Sequence, residues 1–316
     1  MNRVAVIGAG AWGTALALVA ERAGREVVLW ARNPASLQET RRNTRLTGAI
    51  LPDLVHITGT LPETADAVIL AVPTQYMRGV LASWRPPAPV LLCMKGVEAI
   101  AGLLPSEILE ELHCGTPSAV LTGPNFAHEV ASGLPAAAVL AAADPALREA
   151  LLHLLAGPAF RLYGNDDPLG AQLGGATKNV IAIAAGAVMG AGLGENARAA
   201  LITRGLAELS RLVLAQGGRA ETVAGLSGLG DLLLTCTGGA SRNYALGLAL
   251  GRGEPVADAL ARQPGVVEGV ATAPALMVRA RQTELPICAA VAALLEGAMS
   301  LDQAITSLLA RPRRAE

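Results

Sequence analysis

Only two of the 25 basic residues in this chain are lysines, Lys95 and Lys178; all the others are arginines. Arginine is a planar cation that stays protonated, whereas the pKa of a lysine moves when it is buried. Lys178 lies in a helical pattern over Gln172–Met189, with Gly174, Gly175, Ile181, Ala182, Ala185 and Gly186 on its face. A face of small and apolar residues packs closely. The ammonium is therefore expected to be desolvated, with its pKa drawn toward neutrality, where it can donate or accept a proton. Lys95 follows an apolar run read as a strand, Pro89–Met94, and is expected to touch a ligand at the end of that strand.

A second group has the chemistry of phosphate binding. Gly8-Ala-Gly10-Ala-Trp-Gly13 follows the apolar run Val4–Ile7 and opens a helical pattern. In such a turn Gly8 permits the tight bend, Gly10 lets the backbone approach a diphosphate, and Gly13 lets the helix pack against the strand. The N-terminus of the helix then faces the anion. An acid about twenty residues further on usually holds the ribose 2′-hydroxyl. Here the chain reads Leu29-Trp-Ala-Arg-Asn33, with no carboxylate and with Arg32 placed to pair with a 2′-phosphate. NADPH is the expected preferred cofactor, with NADH also accepted.

Three later segments complete the inventory. Gly123-Pro-Asn-Phe-Ala127 follows a strand and should converge with Lys95 and the Gly8–Gly13 turn at the carboxyl ends of the strands. Gly225-Leu-Ser-Gly-Leu-Gly-Asp231 precedes an apolar helix, and Asp231 taken alone reads as its N-cap. Ser241-Arg242-Asn243 opens the helical run Tyr244–Leu250. A helix N-terminus, a bidentate arginine and hydroxyl or amide donors together make a phosphate site, and Ser241 can cap the helix at the same time.

The elements that must position these residues change character along the chain. The predicted strands are Val4–Ile7, Glu26–Trp30, Ala67–Val72, Pro89–Met94, Ser118–Thr122, Ala136–Leu140 and Ala159–Tyr163, with helical or irregular connections. Such alternation predicts an α/β fold, a doubly wound and mostly parallel sheet. After Gly164 comes a polar break, Asn165–Pro168, and then Ala/Leu-rich helical patterns only. Two domains are expected, residues 1–164 and an all-helical 165–316, with a frayed tail from Arg311.

Composition narrows the function. With 25 basic and 26 acidic residues interspersed there is no field to hold a polyanion, so nucleic acid is an unexpected partner. The four cysteines form no Cys-x-x-Cys pair and the histidines have no zinc-ligand spacing, so reduced thiols in a cytoplasmic protein and no metal are expected. The charge-free stretch Val180–Leu193 is too short and Gly-rich to span a bilayer, so no membrane insertion is expected.

Taken in order, the motifs resemble one family, the bacterial soluble type of NAD(P)-dependent glycerol-3-phosphate dehydrogenase. They are Gly8–Thr14, Met94-Lys-Gly96, Gly123–Ala127, Lys178–Gly186, Ala199–Glu208, Gly228–Leu232, Ser241–Asn243 and Val267–Val270. The resemblance implies a Rossmann domain joined to a helical domain like the C-terminal one of 6-phosphogluconate dehydrogenase. It also implies interconversion of dihydroxyacetone phosphate and sn-glycerol 3-phosphate for phospholipid synthesis. By the same carry-over Lys178 moves the proton, and Lys95 touches both cofactor and substrate. Gly123, Asn125, Asp231, Ser241, Arg242 and Asn243 then hold the substrate. Gly8, Gly10, Trp12, Gly13, Arg32, Ala127, Arg242, Val266 and Glu268 hold or line the cofactor. Asn125 stands where the family often has Ser or Thr, and Ala11 where it often has Ser or Asn. A homo-oligomer, a dimer, is expected. The rival reading is a β-hydroxyacid dehydrogenase with a carboxylate substrate, against which Ser241-Arg242-Asn243 argues.

Overall fold

Val4, Ala5, Val6 and Ile7 are each no more than 1% exposed, which requires cover on both faces of their strand. That strand is central to the sheet. The computed structural model describes residues 1–310; the tail expected to fray, from Arg311 on, lies outside them. The eight strands are β1 (Arg3–Ile7), β2 (Glu26–Trp30), β3 (Val55–Thr58), β4 (Ala67–Leu70), β5 (Val90–Leu92), β6 (Ser118–Thr122), β7 (Ala136–Ala141) and β8 (Phe160–Asn165). Their spatial order is β3-β2-β1-β4-β5-β6-β7-β8, parallel throughout except for the β6–β7 pair. Between them run α1 (Ala11–Arg22), α2 (Ala35–Thr40), α3 (Thr74–Ser83), α4 (Pro105–Leu112), α5 (Ala127–Ala131) and α6 (Pro145–Leu155). Apolar clusters fill both faces of the sheet.

The second half is helical: α7 (Pro168–Gly190), α8 (Gly194–Ala215), α9 (Ala220–Ala224), α10 (Asp231–Thr237), α11 (Arg242–Gly251), α12 (Val256–Ala261), α13 (Glu268–Ala280), α14 (Pro286–Leu295) and α15 (Leu301–Leu309). A single wide π-type turn, Leu226–Gly230, leads into α10. The helices share one apolar core around α7.

Three expectations need correction. Val55–Thr58 is an edge strand that the sequence reading left out; its His56 and Thr58 interrupt the apolar run, so it lacks the pattern of a doubly buried strand. The polar break is also narrower than expected. Asn165 pairs with Ala141 as the last residue of β8, and Asp167 then caps α7 by accepting the Gly170 N–H. In addition α7 is long and apolar enough to cross a membrane, longer than the charge-free stretch suggested. It is the core helix of the domain, with 89% of its most apolar window buried inside the protein.

Glycine decides how α7 meets α11. A Cβ on Gly186 would strike the Tyr244 carbonyl oxygen, and one on Gly247 the Ile183 carbonyl oxygen. Backbone-to-backbone contact of this kind cannot be relieved by a rotamer change. Gly247→Ala is expected to lower unfolding free energy by about 3 kcal/mol, the upper end of the usual cost of overpacking, read from chemical denaturation. Gly79, inside α3, has open space where its Cβ would be. Gly79→Ala should leave stability unchanged or raise it by up to about 1 kcal/mol through helix propensity. Equal effects at the two positions would contradict the packing argument.

Candidate functional site

Lys95, just past β5, meets α7, α10 and α13 and reaches Gly123 just past β6, and the residues singled out by sequence form two groups. The first is the glycine turn. Gly8 has φ +112°, and a Cβ on it would lie 3.0 Å from Ala71 backbone atoms. A Cβ on Gly13 would strike the Gly8 carbonyl oxygen, so only glycine lets α1 approach β1 so closely. Gly10 has open space beside it. No side chain caps α1, and its first turn carries no acid. This turn fits the diphosphate of a dinucleotide: backbone access at Gly10 and an uncapped helix N-terminus facing it. Trp12 is half-buried in the first turn, its indole N–H without a partner among the described residues. Arg32 is exposed just past β2.

The second group is a buried ion cluster. Asp231 is completely buried, and its two carboxylate oxygens take one lysine each. Oδ2 accepts from Lys95 Nζ at 2.6 Å, and Oδ1 accepts from Lys178 Nζ. Lys95 Nζ also donates to the Gly123 carbonyl at 2.9 Å. Lys178 Nζ also donates to Thr235 Oγ1 at 2.9 Å, and the Thr235 hydroxyl donates in turn to the Asp231 carbonyl at 2.6 Å. An ammonium has three donors, so each lysine has two committed and one to spare. Lys178 is 6% exposed, as its small-residue face predicted. Burial lowers its pKa to about 7; the Asp231 carboxylate opposes that shift, and the Lys95 charge adds to it. Asp231 is thus no N-cap: its carboxylate is occupied by the lysines, and α10 follows the π-type turn without side-chain capping. That turn is pressed against α7, where a Cβ on Gly174 would lie 2.5 Å from the Ser227 carbonyl oxygen.

Around the cluster the helical domain holds Lys95 by its backbone as well. Its N–H donates to Glu268 Oε2 at 3.3 Å, and its carbonyl accepts from Asn179 Nδ2 at 2.8 Å. Glu268 Oε1 also accepts the Thr74 N–H at 3.3 Å. Burial raises the Glu268 carboxyl, while the two backbone N–H groups and the charges of Arg242 and Lys95 pull it back. Asn243 Nδ2 donates to Asn179 Oδ1 at 2.9 Å, and Asn243 Oδ1 accepts from Gly269 N at 3.0 Å. Expected to bind phosphate, Asn243 is largely spent on this framework, with one N–H remaining. Ser241 Oγ caps α11 by accepting the Tyr244 N–H. Arg242 is exposed, and burial of its head group and the Arg45 charge lower its pKa while Glu268 opposes them.

The remaining candidates lie at the margins. Gly123 has φ +130°, and a Cβ there would lie 3.1 Å from the Ala138 Cα. Asn125 Nδ2 donates to the Ala137 carbonyl at 3.0 Å, and its Oδ1 is buried without a partner among the described residues. Ala127 is the first residue of α5. Val266 and Glu268 line a narrow cavity with Pro73, Thr74 and Thr272. The sequence reading gave no role to Thr235, one turn beyond Asp231, or to Asn179, beside Lys178; the i, i+4 spacing of Asp231 and Thr235 was the available signal. Cys236, next to Thr235, is no nucleophile here, since burial pushes its thiol up to about 12.

A doubly wound domain with an open glycine turn, joined to a helical domain that holds a buried lysine near neutrality, defines a dinucleotide-dependent oxidoreductase architecture. Two family models cover most of the chain: the NAD-dependent glycerol-3-phosphate dehydrogenase N-terminus over residues 3–148, and the C-terminus over residues 167–306. The chain is 53% identical to a glycerol-3-phosphate dehydrogenase [NAD(P)+] of Gluconobacter oxydans, covering 99% of this chain and 98% of that protein. It is 56% identical to one of Acidiphilium cryptum, over 99% and 98% respectively. The crystal structure of glycerol-3-phosphate dehydrogenase from Coxiella burnetii superposes with a TM-score of 0.94 at 36% identity, covering 98% of this chain and 99% of that one. The chain belongs to the NAD-dependent glycerol-3-phosphate dehydrogenase family.

Proposed function

We propose that this protein interconverts dihydroxyacetone phosphate and sn-glycerol 3-phosphate with NAD(P)H, supplying glycerol 3-phosphate for phospholipid synthesis. One observation carries the chemistry: Lys178, buried with a pKa near 7, keeps a spare donor while Asp231 and Thr235 hold it in place. The domains meet near residue 165, with the Rossmann half binding the cofactor and the helical half supplying Lys178, Asp231 and Arg242.

Bound NAD(P)H supplies the hydride. The diphosphate would be held at Gly8, Gly10 and Gly13, with Trp12, Ala127, Val266 and Glu268 lining the cleft. The protonated Lys178 donates to the ketone oxygen as negative charge develops there, and gives up its proton to form the alcohol. In the oxidative direction its neutral amine takes that proton back. Lys95 directs its spare donor to the same substrate, and Asp231 holds both ammonium groups in register. Gly123 fixes Lys95 through its carbonyl, and Asn125 lines the end of the substrate pocket.

The phosphate is anchored by Arg242 at the N-terminus of α11, with Ser241 and the remaining Asn243 N–H beside it. Asn243 is hydrogen-bonded to Asn179, the residue after Lys178. The residues next to the phosphate anchor and to the proton donor are therefore joined directly, so the framework that binds the phosphate also sets the position of Lys178 against the ketone.

The direct test is loss of NADPH absorbance when dihydroxyacetone phosphate is added to the purified protein. Failure of NADPH oxidation by a protein that still binds NADPH would overturn the substrate assignment. Arg32 is proposed to favour NADPH by pairing with the 2′-phosphate. Arg32→Gln is expected to raise the NADPH KM about tenfold, the value of a partly solvated charge-assisted hydrogen bond, and to leave the NADH KM unchanged. Equal effects on the two cofactors would remove Arg32 from that role. The same reading makes the protein a cytoplasmic homodimer. Its four free thiols, three of them buried, suit a reducing compartment, and sedimentation equilibrium reads the assembly.

A further inference from the structure

Asn43 lies on an irregular segment after α2 and is only 9% exposed. Its amide Nδ2 donates to the Ala9 carbonyl at 3.0 Å and to Thr14 Oγ1 at 2.6 Å, with the Gly10 carbonyl at 3.4 Å. One buried side chain thus ties residues 42–46 to both sides of the glycine turn. Its Oδ1 accepts the Arg45 N–H at 2.9 Å, which fixes the backbone of Arg45 beside that turn. The Arg45 side chain is exposed and makes no ion pair among the described residues. Its charge also bears on Arg242, at the N-terminus of α11 in the helical domain, adding to the effect of burial there while Glu268 opposes both.

Two guanidinium groups from different domains, held within electrostatic reach of each other, repel unless anions offset their charges. We propose that Arg45 supplies, from the N-terminal domain, a charge-assisted hydrogen bond to an oxygen of the dinucleotide diphosphate at the glycine turn, while Arg242 keeps the substrate phosphate. The role of Arg45 rests on the diphosphate lying at the glycine turn, as proposed above. The bracing by Asn43 favours the diphosphate over the 2′-phosphate, because Ala9 and Gly10 are the turn itself whereas Arg32 stands past β2.

NADPH and NADH share the diphosphate and differ only in the 2′-phosphate. The experiment is therefore titration of each cofactor against the full-length wild type and Arg45→Gln, followed by calorimetry. The Kd for both cofactors is expected to rise by the same factor, about tenfold for one lost charge-assisted hydrogen bond, and Arg45→Lys should recover part of it. Unchanged Kd values would overturn the proposal. So would a rise confined to NADPH, which would move Arg45 to the 2′-phosphate. A raised KM for dihydroxyacetone phosphate with unchanged cofactor Kd values would assign Arg45 to the substrate phosphate instead. A wild type that binds neither cofactor would show that the placement of the diphosphate itself had failed. Arg45 is exposed, so the variant's thermal midpoint should match the wild type and separate lost binding from lost folding.

Discussion

Lys178→Ala is expected to lower kcat for dihydroxyacetone phosphate reduction by about 10³-fold, the combined scale of proton transfer and charge stabilisation at the reacting oxygen. The Kd for NADPH should stay within about twofold of wild type, because the glycine turn and Arg45 lie on the other domain. Lys178→Arg distinguishes proton donation from charge alone. Arginine keeps the cation but does not release its proton near neutrality, so this variant should remain severely impaired in both directions. The wild-type pH profile follows from the lowered pKa of about 7. Reduction needs the protonated amine, so its rate is full below about 7 and falls as pH rises through that value. Oxidation needs the neutral amine and has the mirror profile. Reductive and oxidative rates with the same pH dependence, or near wild-type turnover by Lys178→Ala, would remove Lys178 from the reaction.

Much of this site was legible in the sequence because some of its demands are local. The glycine turn is set by contacts between residues five apart: Gly13 is glycine because Gly8 lies beneath it. The desolvation of Lys178 was readable because its neighbours at helical spacing are small, and small residues let helices close over a side chain. What escaped the reading depends on contacts across the chain. Asp231 read as a cap because its own neighbourhood offers a helix start; only the fold brings Lys95, 136 residues away, onto its second oxygen. The place of Asn243 after Arg242 was legible, but only the fold shows that its amide also joins Asn179 to Gly269. The brace that Asn43 makes was not legible locally, since the partners of its Nδ2 lie 29 to 34 residues earlier. The edge strand β3 was missed because the apolar pattern of a parallel strand weakens where only one neighbour flanks it.

Asp231→Asn is the most informative test of how the cluster works. The carboxylate opposes the burial that lowers the Lys178 pKa. An amide of the same shape removes that opposition, so the Lys178 pKa should fall below about 7, and less of the proton donor is present at neutral pH. Reduction at pH 7 is expected to drop by about 10²-fold, within the range for impaired general acid catalysis. Part of the loss should be recovered on acidification, as the reductive profile shifts to lower pH. An unshifted profile with lowered kcat would mean that Asp231 acts through geometry alone. Removing the side chain altogether has a second consequence. Asp231→Ala leaves two lysines, Lys95 from the N-terminal domain and Lys178 from α7, without their shared anion, Lys178 being only 6% exposed. Breaking a buried pair in this way costs about 3–5 kcal/mol, which denaturant unfolding on the acid side of about 7, where Lys178 carries its proton, will read. The deficit should be largest on the acid side of about 7 and shrink as pH rises toward that value, because an unpaired buried lysine sheds its proton and with it the cost of burying a charge. A deficit that does not change with pH would show the loss to be one of packing, with the ion cluster contributing little to stability.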